Sequence, residues 1–234
     1  MVSREINPQE LKKGAYPIAV AKDAVVPTVS TLNPDVNAIL SRGMTRDYAY
    51  NIFITGHLRT WNRAFGVSGP QKDLHVYTRS DACGAGEVWA KYFVKKQEDL
   101  LGVGVFGDPG IATAVQRDPL GIGYNNIAYA YDIKTKKPNP GIKVIPLDLN
   151  NNKKIDPEEN FYGNLDDLLA EIASGKYPSP PARDLYLVTK GKPINPITVA
   201  FIKWILTNGQ RYIDESGYVK LSDIKIKGEL QKVQ

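Results

Sequence analysis

The chain has 234 residues, and 42% of them are hydrophobic, which is enough for one large domain or two smaller lobes with apolar cores. Thirty Lys and Arg against 25 Asp and Glu give a net charge of +5, which suits an anionic ligand without requiring one. One cysteine and two histidines exclude a disulfide framework and a Cys-rich or His-rich metal centre. No apolar run reaches the roughly 18 residues of a membrane-spanning helix, and the N-terminus lacks the apolar stretch of a signal peptide.

Apolar, β-rich runs alternate with helical patterns along the whole chain, which predicts an α/β fold. We expect two buried strands near the N-terminus, at 17–20 and 24–29, interrupted by the polar pair Lys22 and Asp23. Three further strands are predicted, at 74–78, 142–147 and 185–189. The predicted helices are one capped by Thr45, one carrying Val88 to Phe93, one opened by Asp108 and Pro109, one stopped by Gly175, and one opened by Asn195 and Pro196. The last of these helices carries Ile197, Ala200, Phe201, Trp204 and Ile205 on one face.

Residues 79–86, Arg-Ser-Asp-Ala-Cys-Gly-Ala-Gly, lie between a predicted strand and a predicted helix. Small side chains, free amides at a helix N-terminus and an adjacent guanidinium are the features of an anion-binding turn. The residues leave one alternative open, an ordinary strand-to-helix turn in which Asp81 caps the helix and Arg79 points to solvent.

This turn resembles the Arg-x-Asp-x-Ser-Gly-Thr segment of phosphate-binding proteins, the substrate-binding components of ABC-type phosphate importers. Further segments resemble that family in the same order along nearly the whole chain, at 21–26, 52–61, 121–124 and 177–186. The resemblance implies a type II periplasmic-binding fold of two α/β lobes and no enzymatic chemistry. Lobe one would comprise residues 1–26 and 186–234, and lobe two residues 27–185.

The resemblance also implies a ligand set. Arg79, Cys83, Gly84 and Ala85 occupy the positions at which the family uses arginine, serine, glycine and threonine on the phosphate, and Asp81 of the same turn joins the candidate site. Two positions depart from the family, because a thiol is a weaker donor than a hydroxyl and alanine has no side-chain donor. Backbone amides survive both changes, so anion binding stays the expectation.

The first six residues resemble a ligand loop that the family carries inside its first lobe. Ser3 falls at or beside the position often held by an aspartate that accepts a proton from the anion, and Arg4 can pair with the anion. The family's opening strand and first ligand turn have no counterpart here. We therefore expect a first lobe that is incomplete at the N-terminus, completed by a missing N-terminal segment, a partner or self-association.

Residues 148–159 match a twelve-position calcium loop. Its expected ligands are Asp148, Asn150, Asn152, the Lys154 carbonyl, Asp156 and Glu159. Lys153 occupies the sixth position, where glycine usually permits a positive φ, and a solvated Asn-rich turn is the alternative. No cofactor is expected apart from this structural calcium ion.

Together these features predict a non-enzymatic receptor that captures inorganic phosphate and delivers it to an ABC permease. We expect it outside the cell or in the periplasm, membrane-associated in its full-length form, and without a nucleic-acid partner. Another tetrahedral oxyanion such as sulfate is the alternative ligand if Ser3 replaces the proton-accepting carboxylate. A cell-surface or structural protein that keeps the fold and the calcium loop is the alternative class.

Overall fold

The predicted alternation of strands and helices is present in the computed structural model, which describes all 234 residues. The strands are β1 (Ala15–Ser30), β2 (His75–Arg79), β3 (Val103–Val105), β4 (Gly121–Asn126), β5 (Ile142–Val144) and β6 (Ala182–Lys190). The α-helices are α1 (Pro8–Lys12), α2 (Val36–Arg42), α3 (Arg46–Phe53), α4 (Trp61–Phe65), α5 (Gly84–Tyr92), α6 (Gly107–Arg117), α7 (Ile127–Ala130), α8 (Leu165–Ser174), α9 (Pro196–Leu206) and α10 (Asp223–Gln231). None of these helices combines the length and apolar character needed to cross a membrane.

β1 is one continuous strand of 16 residues, so the predicted break at Lys22 and Asp23 is wrong. Lys22 continues the backbone pairing through two hydrogen bonds with Val219, of 2.8 and 3.0 Å. The buried Asp23 carboxylate accepts hydrogen bonds from its neighbour's amide, at 2.7 Å, and from Arg183 Nη2, at 2.9 Å. Because the polar pair finds distant partners, it does not interrupt the strand.

The chain divides into two compact units. The terminal unit comprises residues 1–24 and 169–234, and the central unit comprises residues 25–168. In the terminal unit, the first part of β1 pairs antiparallel with β6, from Ala15 opposite Lys190 to Ala24 opposite Ala182. Its apolar core consists of Ile18, Ala19, Val20, Tyr186, Ile202, Leu206, Leu221 and Val233.

In the central unit, the second part of β1 pairs antiparallel with β4 and β5, while β2 pairs in parallel with both β3 and β4. Buried aromatic rings fill the space beside this sheet. Trp89 of α5 lies at the centre, with ring centroids 5.4 Å from Phe53, 5.4 Å from Phe93 and 5.8 Å from Tyr124. This packing fixes α5 against the sheet and therefore fixes the turn that precedes it.

α9 begins as predicted, with the Asn195 side chain accepting hydrogen bonds from the amides of the second and third helical residues at 3.0 and 3.2 Å. Ile202 and Leu206 are its buried residues. The predicted apolar face is instead largely exposed at Ile197, Phe201 and Trp204. Apolar spacing identified this helix, but it did not identify the face that packs on the core.

Candidate anion site at the end of β2

The turn at 79–83 lies where two parallel strands end. β2 and β3 run in register, with Arg79 opposite Val105, the last residue of β3. Each strand is followed by a helix, since α5 begins at Gly84 and α6 begins at Gly107. Ligands of open α/β sheets bind at the carboxyl ends of parallel strands, because loops and helix N-termini with free amides meet there.

Arg79 is held inside this edge rather than in solvent, with a side chain only 6% exposed. Its Nε donates to Asp81 Oδ1 at 2.9 Å, and its Nη2 donates to Asp81 Oδ2 at 2.5 Å. Its Nη1 lies 2.7 Å from Asp108 Oδ1, at the start of α6. Two carboxylates from different segments therefore fix the direction of the guanidinium.

These contacts determine the charge of the cluster. Burial alone would lower the pKa of Arg79, but the hydrogen bonds that it donates to Asp81 and the charge of Asp108 raise this pKa above its usual value. The Arg79 hydrogen bonds, with a further one from the Gly107 amide at 3.1 Å, hold the pKa of Asp81 below its usual range. One cation therefore faces two carboxylates, so an anion at this edge needs neutral N–H donors as well as Arg79.

The start of α5 offers such donors. Cys83 caps the helix, and its Sγ accepts from the Gly86 amide at 3.2 Å. The structure contains no internal acceptor for the N–H groups of Gly84 and Ala85 at the first two helical positions. Burial raises the pKa of the Cys83 thiol, which therefore stays protonated at neutral pH.

Three further residues complete the turn, and the sequence analysis did not identify them. Gln97 accepts from the Cys83 amide at 3.0 Å and donates to the Asp81 carbonyl at 2.7 Å. The buried Tyr124 hydroxyl accepts from the Arg79 amide at 3.2 Å, and burial raises its pKa to about 12. The third residue, Asp108, was expected only to open α6, but its side chain pairs with Arg79.

The contact between Asp108 and Arg79 could not be predicted from the residues around Asp108. α6 begins one residue before Asp108, after Phe106, and no side chain caps it. The Asp-Pro dipeptide marks a helix start correctly, yet it carries no signal for a partner on β2. Only the alignment of β2 with β3 brings the two helix starts to the same edge.

Ser3 and Arg4 belong to the terminal unit. The segment is held to β6 by two backbone hydrogen bonds between Val2 and Tyr186, both of 2.8 Å. Arg4 donates to both carboxylate oxygens of Glu10, at 2.8 and 2.7 Å, and this bonding is the main cause of a Glu10 pKa lowered to about 2. Arg4 is thus engaged by a carboxylate, and the contacts of Ser3 and Arg4 with an anion stay a prediction.

The loop at 148–159 is closed by its own amides. The buried Asp148 carboxylate accepts from the amides of Asn152, at 3.2 Å, and Lys153, at 2.7 Å. The buried Glu159 carboxylate accepts from the amides of Leu149, at 2.9 Å, and Asn150, at 3.2 Å. Lys153 has a φ of 66°, the left-handed conformation for which this position usually carries glycine.

Asp156 lies on the exposed side of the same loop. It accepts from the side-chain amides of Asn150, at 3.1 Å, and Asn152, at 2.6 Å, and it pairs with Lys154 Nζ at 2.7 Å. The Lys154 contact is the main cause of a lowered Asp156 pKa. No group of three or more His, Cys, Asp or Glu side chains in the structure is arranged to hold a metal ion, so the calcium ligands stay a prediction.

Known proteins share this architecture. An ABC-type phosphate transport receptor from Vibrio cholerae is similar with a TM-score of 0.66 at 19% identity, over 93% of this chain and 78% of that one. A protein from Clostridium perfringens, assigned as a phosphate ABC transporter substrate-binding protein and solved with bound phosphate, gives a TM-score of 0.69 at 20% identity, over 94% and 78% of the two chains. A comparison with curated protein sequences finds no match.

At these identities the structural likeness concerns the fold. It confirms the mixed α/β, type II periplasmic-binding architecture that the sequence analysis predicted. A family model described as a PBP superfamily domain matches residues 1–208, which is most of the chain. The protein therefore belongs to the PBP superfamily.

Proposed function

We propose that this protein binds inorganic phosphate at the carboxyl end of β2 and delivers it to an ABC permease outside the cytoplasm. One arrangement carries the proposal: the enclosed, fixed Arg79 guanidinium beside the α5 start, where the amides of Gly84 and Ala85 have no internal acceptor. Two solved proteins of the same fold, described as phosphate transport proteins, support the choice of anion. We propose binding and release without chemical conversion.

The carboxylates of the cluster favour phosphate over sulfate. A phosphate ion at neutral pH carries at least one proton and can donate it in a hydrogen bond to a carboxylate, whereas sulfate carries none. Asp81 and Asp108 provide carboxylates at this edge that would repel an unprotonated anion. This acceptor function does not depend on Ser3, which lacks the charge of the aspartate that the family often has.

Calorimetric titration with phosphate and with sulfate, at pH values near 6 and 8, tests the proposal. Arg79→Gln should weaken phosphate binding at least tenfold, because a charge-assisted donor contributes about 1.5–3 kcal/mol. Arg79→Lys is a second variant that keeps the charge but loses the paired donors of the guanidinium. Its phosphate affinity should lie between those of the wild type and Arg79→Gln. Arg63→Gln, which alters an exposed arginine of the same unit, is the matched control.

Three results would decide against phosphate binding at this turn. Binding of sulfate alone would favour the sulfate alternative. A folded wild-type protein without affinity for either anion would favour the structural or cell-surface class. Unchanged phosphate affinity in a folded Arg79→Gln variant would remove this turn from the site.

We propose further that the two lobes expected from the sequence correspond to the two compact units. Lobe one would then be the terminal unit, residues 1–24 and 169–234, and lobe two the central unit, residues 25–168. Ser3 and Arg4 stay proposed phosphate contacts. Their contribution is measured by the same titration in Ser3→Ala and Arg4→Gln.

We also propose that the loop at 148–159 binds calcium as a structural staple. The positive φ of Lys153 at the sixth position supports this, because the twelve-position loop makes its sharp turn there. Millimolar calcium should raise the melting temperature by a few degrees relative to chelator, and equal magnesium should not. If calcium does not change the melting temperature, the loop is a solvated turn and not a calcium site.

A further inference from the structure

α9 presents an apolar stripe to solvent in the terminal unit. Ile197, Phe201 and Trp204 are 80%, 56% and 46% exposed, and their spacing of four and three residues places them on one face of the helix. Ile194, just before the helix, is 89% exposed. Several exposed apolar side chains on one helix face are typical of an interaction site.

The stripe continues into the turn that follows the helix. The Tyr212 ring stacks on Trp204, with centroids 6.3 Å apart and planes inclined by 26°. The guanidinium of Arg211 lies 5.2 Å from the centroid of the Tyr212 ring. We call Ile194, Ile197, Phe201, Trp204 and Tyr212 the α9 face.

The charge of the protein is concentrated in the unit that carries this face. The terminal unit has 14 Lys and Arg against 9 Asp and Glu, whereas the central unit has 16 of each, so the whole net charge of +5 belongs to the terminal unit. Lys203 is the single charged residue of α9. Exposed Lys190 and Lys192 precede the helix in sequence. The exposed Asp214 beyond it pairs with Lys220 at 2.7 Å.

We propose that the α9 face docks on an anionic lipid surface, with the helix lying in the plane of the interface. Trp and Tyr rings favour the boundary between headgroups and acyl chains, and isoleucine and phenylalanine side chains enter the apolar layer. Lysine and arginine beside them are attracted to anionic headgroups. A second copy of this chain is the weaker occupant, because it would bring two positively charged units together.

Sedimentation with lipid vesicles tests the proposal on the whole chain. The protein should bind vesicles that contain about 30% phosphatidylserine in phosphatidylcholine, bind phosphatidylcholine alone at least tenfold more weakly, and dissociate at about 0.5 M salt. Its tryptophan fluorescence should shift to shorter wavelength on binding. Trp61 and Trp89 are fully buried, so the shift would come from Trp204.

Two variants assign the binding to this face. The double variant Phe201→Ser with Trp204→Ser should lose binding at least tenfold and keep its far-UV spectrum, because both side chains are exposed. Leu32→Ser, an exposed apolar position of the central unit, is the matched control and should bind as wild type.

Several outcomes would overturn the inference. They are the absence of vesicle binding, equal binding to neutral and anionic vesicles, and unchanged binding by the double variant. Light scattering that shows a dimer of the wild type and a monomer of the double variant would assign the face to a second copy instead.

Discussion

Two arginines of this protein were predicted to contact an anion, and they are held in different ways. The Arg79 side chain is 6% exposed and meets two carboxylates, one from its own turn and one from the start of α6. The Arg4 side chain is 26% exposed and pairs with Glu10 of the short helix α1. Both make paired hydrogen bonds to a single carboxylate, so bond geometry alone does not separate them.

Their surroundings explain the difference. Arg79 gains Asp108 as its second partner only when β2 and β3 are aligned, so its position is part of the fold. Arg4 pairs with a residue six positions away, on a helix of 5 residues without buried members. Solvent screens such a pair, and exchanging its partner costs little free energy. The comparison indicates that the fold holds Arg79 in one direction, whereas a local pair holds Arg4.

The largest expected effect comes from removing the Arg79 charge. Arg79→Gln leaves Asp81 and Asp108 without the cation that they share, which should lower the free energy of unfolding by about 2–3 kcal/mol. The estimate is below that for a fully buried pair because both carboxylates are partly exposed. Urea denaturation measures the change. A loss below about 1 kcal/mol would mean that the cluster is solvated and not preorganised.

Acid titration sharpens the same comparison. The folded pKa of Asp81 is lowered, chiefly by Arg79, so its contribution to stability is present above the unfolded pKa of about 3.9 and is lost as the pH falls through the folded pKa. Asp81→Asn should therefore lose stability at neutral pH and show a weaker acid dependence below about pH 5. Glu10 has a folded pKa of about 2, but its pair is screened by solvent.

The matched variant for this experiment is Glu10→Gln. It should alter the stability at neutral pH less than Asp81→Asn does, although both carboxyls titrate in the same acidic range. Urea midpoints at pH values from about 7 to 3 give both profiles. Equal effects of the two variants would show that enclosure of Arg79 adds nothing to the pair.

How much of this was readable from sequence depends on the range of each contact. Local capping was predicted correctly at α3 and α9, since Thr45 accepts from the Tyr48 amide and Asn195 caps α9. The turn at 79–86 was found because strand, small residues and helix follow one another in sequence. Asp108 was missed as a partner of Arg79, since nothing in the intervening sequence marks that contact.

Two other errors have the same origin. Lys22 and Asp23 appear to break a strand when only their neighbours are considered, yet their partners Val219 and Arg183 come from distant segments. In α9, apolar residues occur on both sides of the helix, so spacing predicted a helix without deciding which side is buried. Tertiary packing made both decisions.

Replacing the helix cap should have a smaller effect than either change at Arg79 or Asp81. Cys83→Ser puts a better capping group at the α5 start and should raise the free energy of unfolding by about 0.5–1 kcal/mol. It also introduces a hydroxyl donor beside the free amides, so phosphate should bind more tightly. Cys83→Ala is the control and should shift both measurements the other way. A destabilised serine variant would show that the packing of the partly buried sulfur outweighs the better cap.

The smallest expected change in stability belongs to Arg4. Its pair with Glu10 is partly exposed and screened by solvent, so Arg4→Gln should lower the free energy of unfolding in urea denaturation far less than Arg79→Gln does. Phosphate titration of the same variant gives an independent result. If Arg4 exchanges Glu10 for the anion, the affinity falls although the fold is unchanged, and Glu10→Gln, which frees the guanidinium, should raise it. If neither variant changes the phosphate affinity, Arg4 does not contact the anion. Of the two predicted arginines only Arg79 of the central unit would then remain as a contact, because losing a direct contact lowers the affinity even when the fold is unchanged.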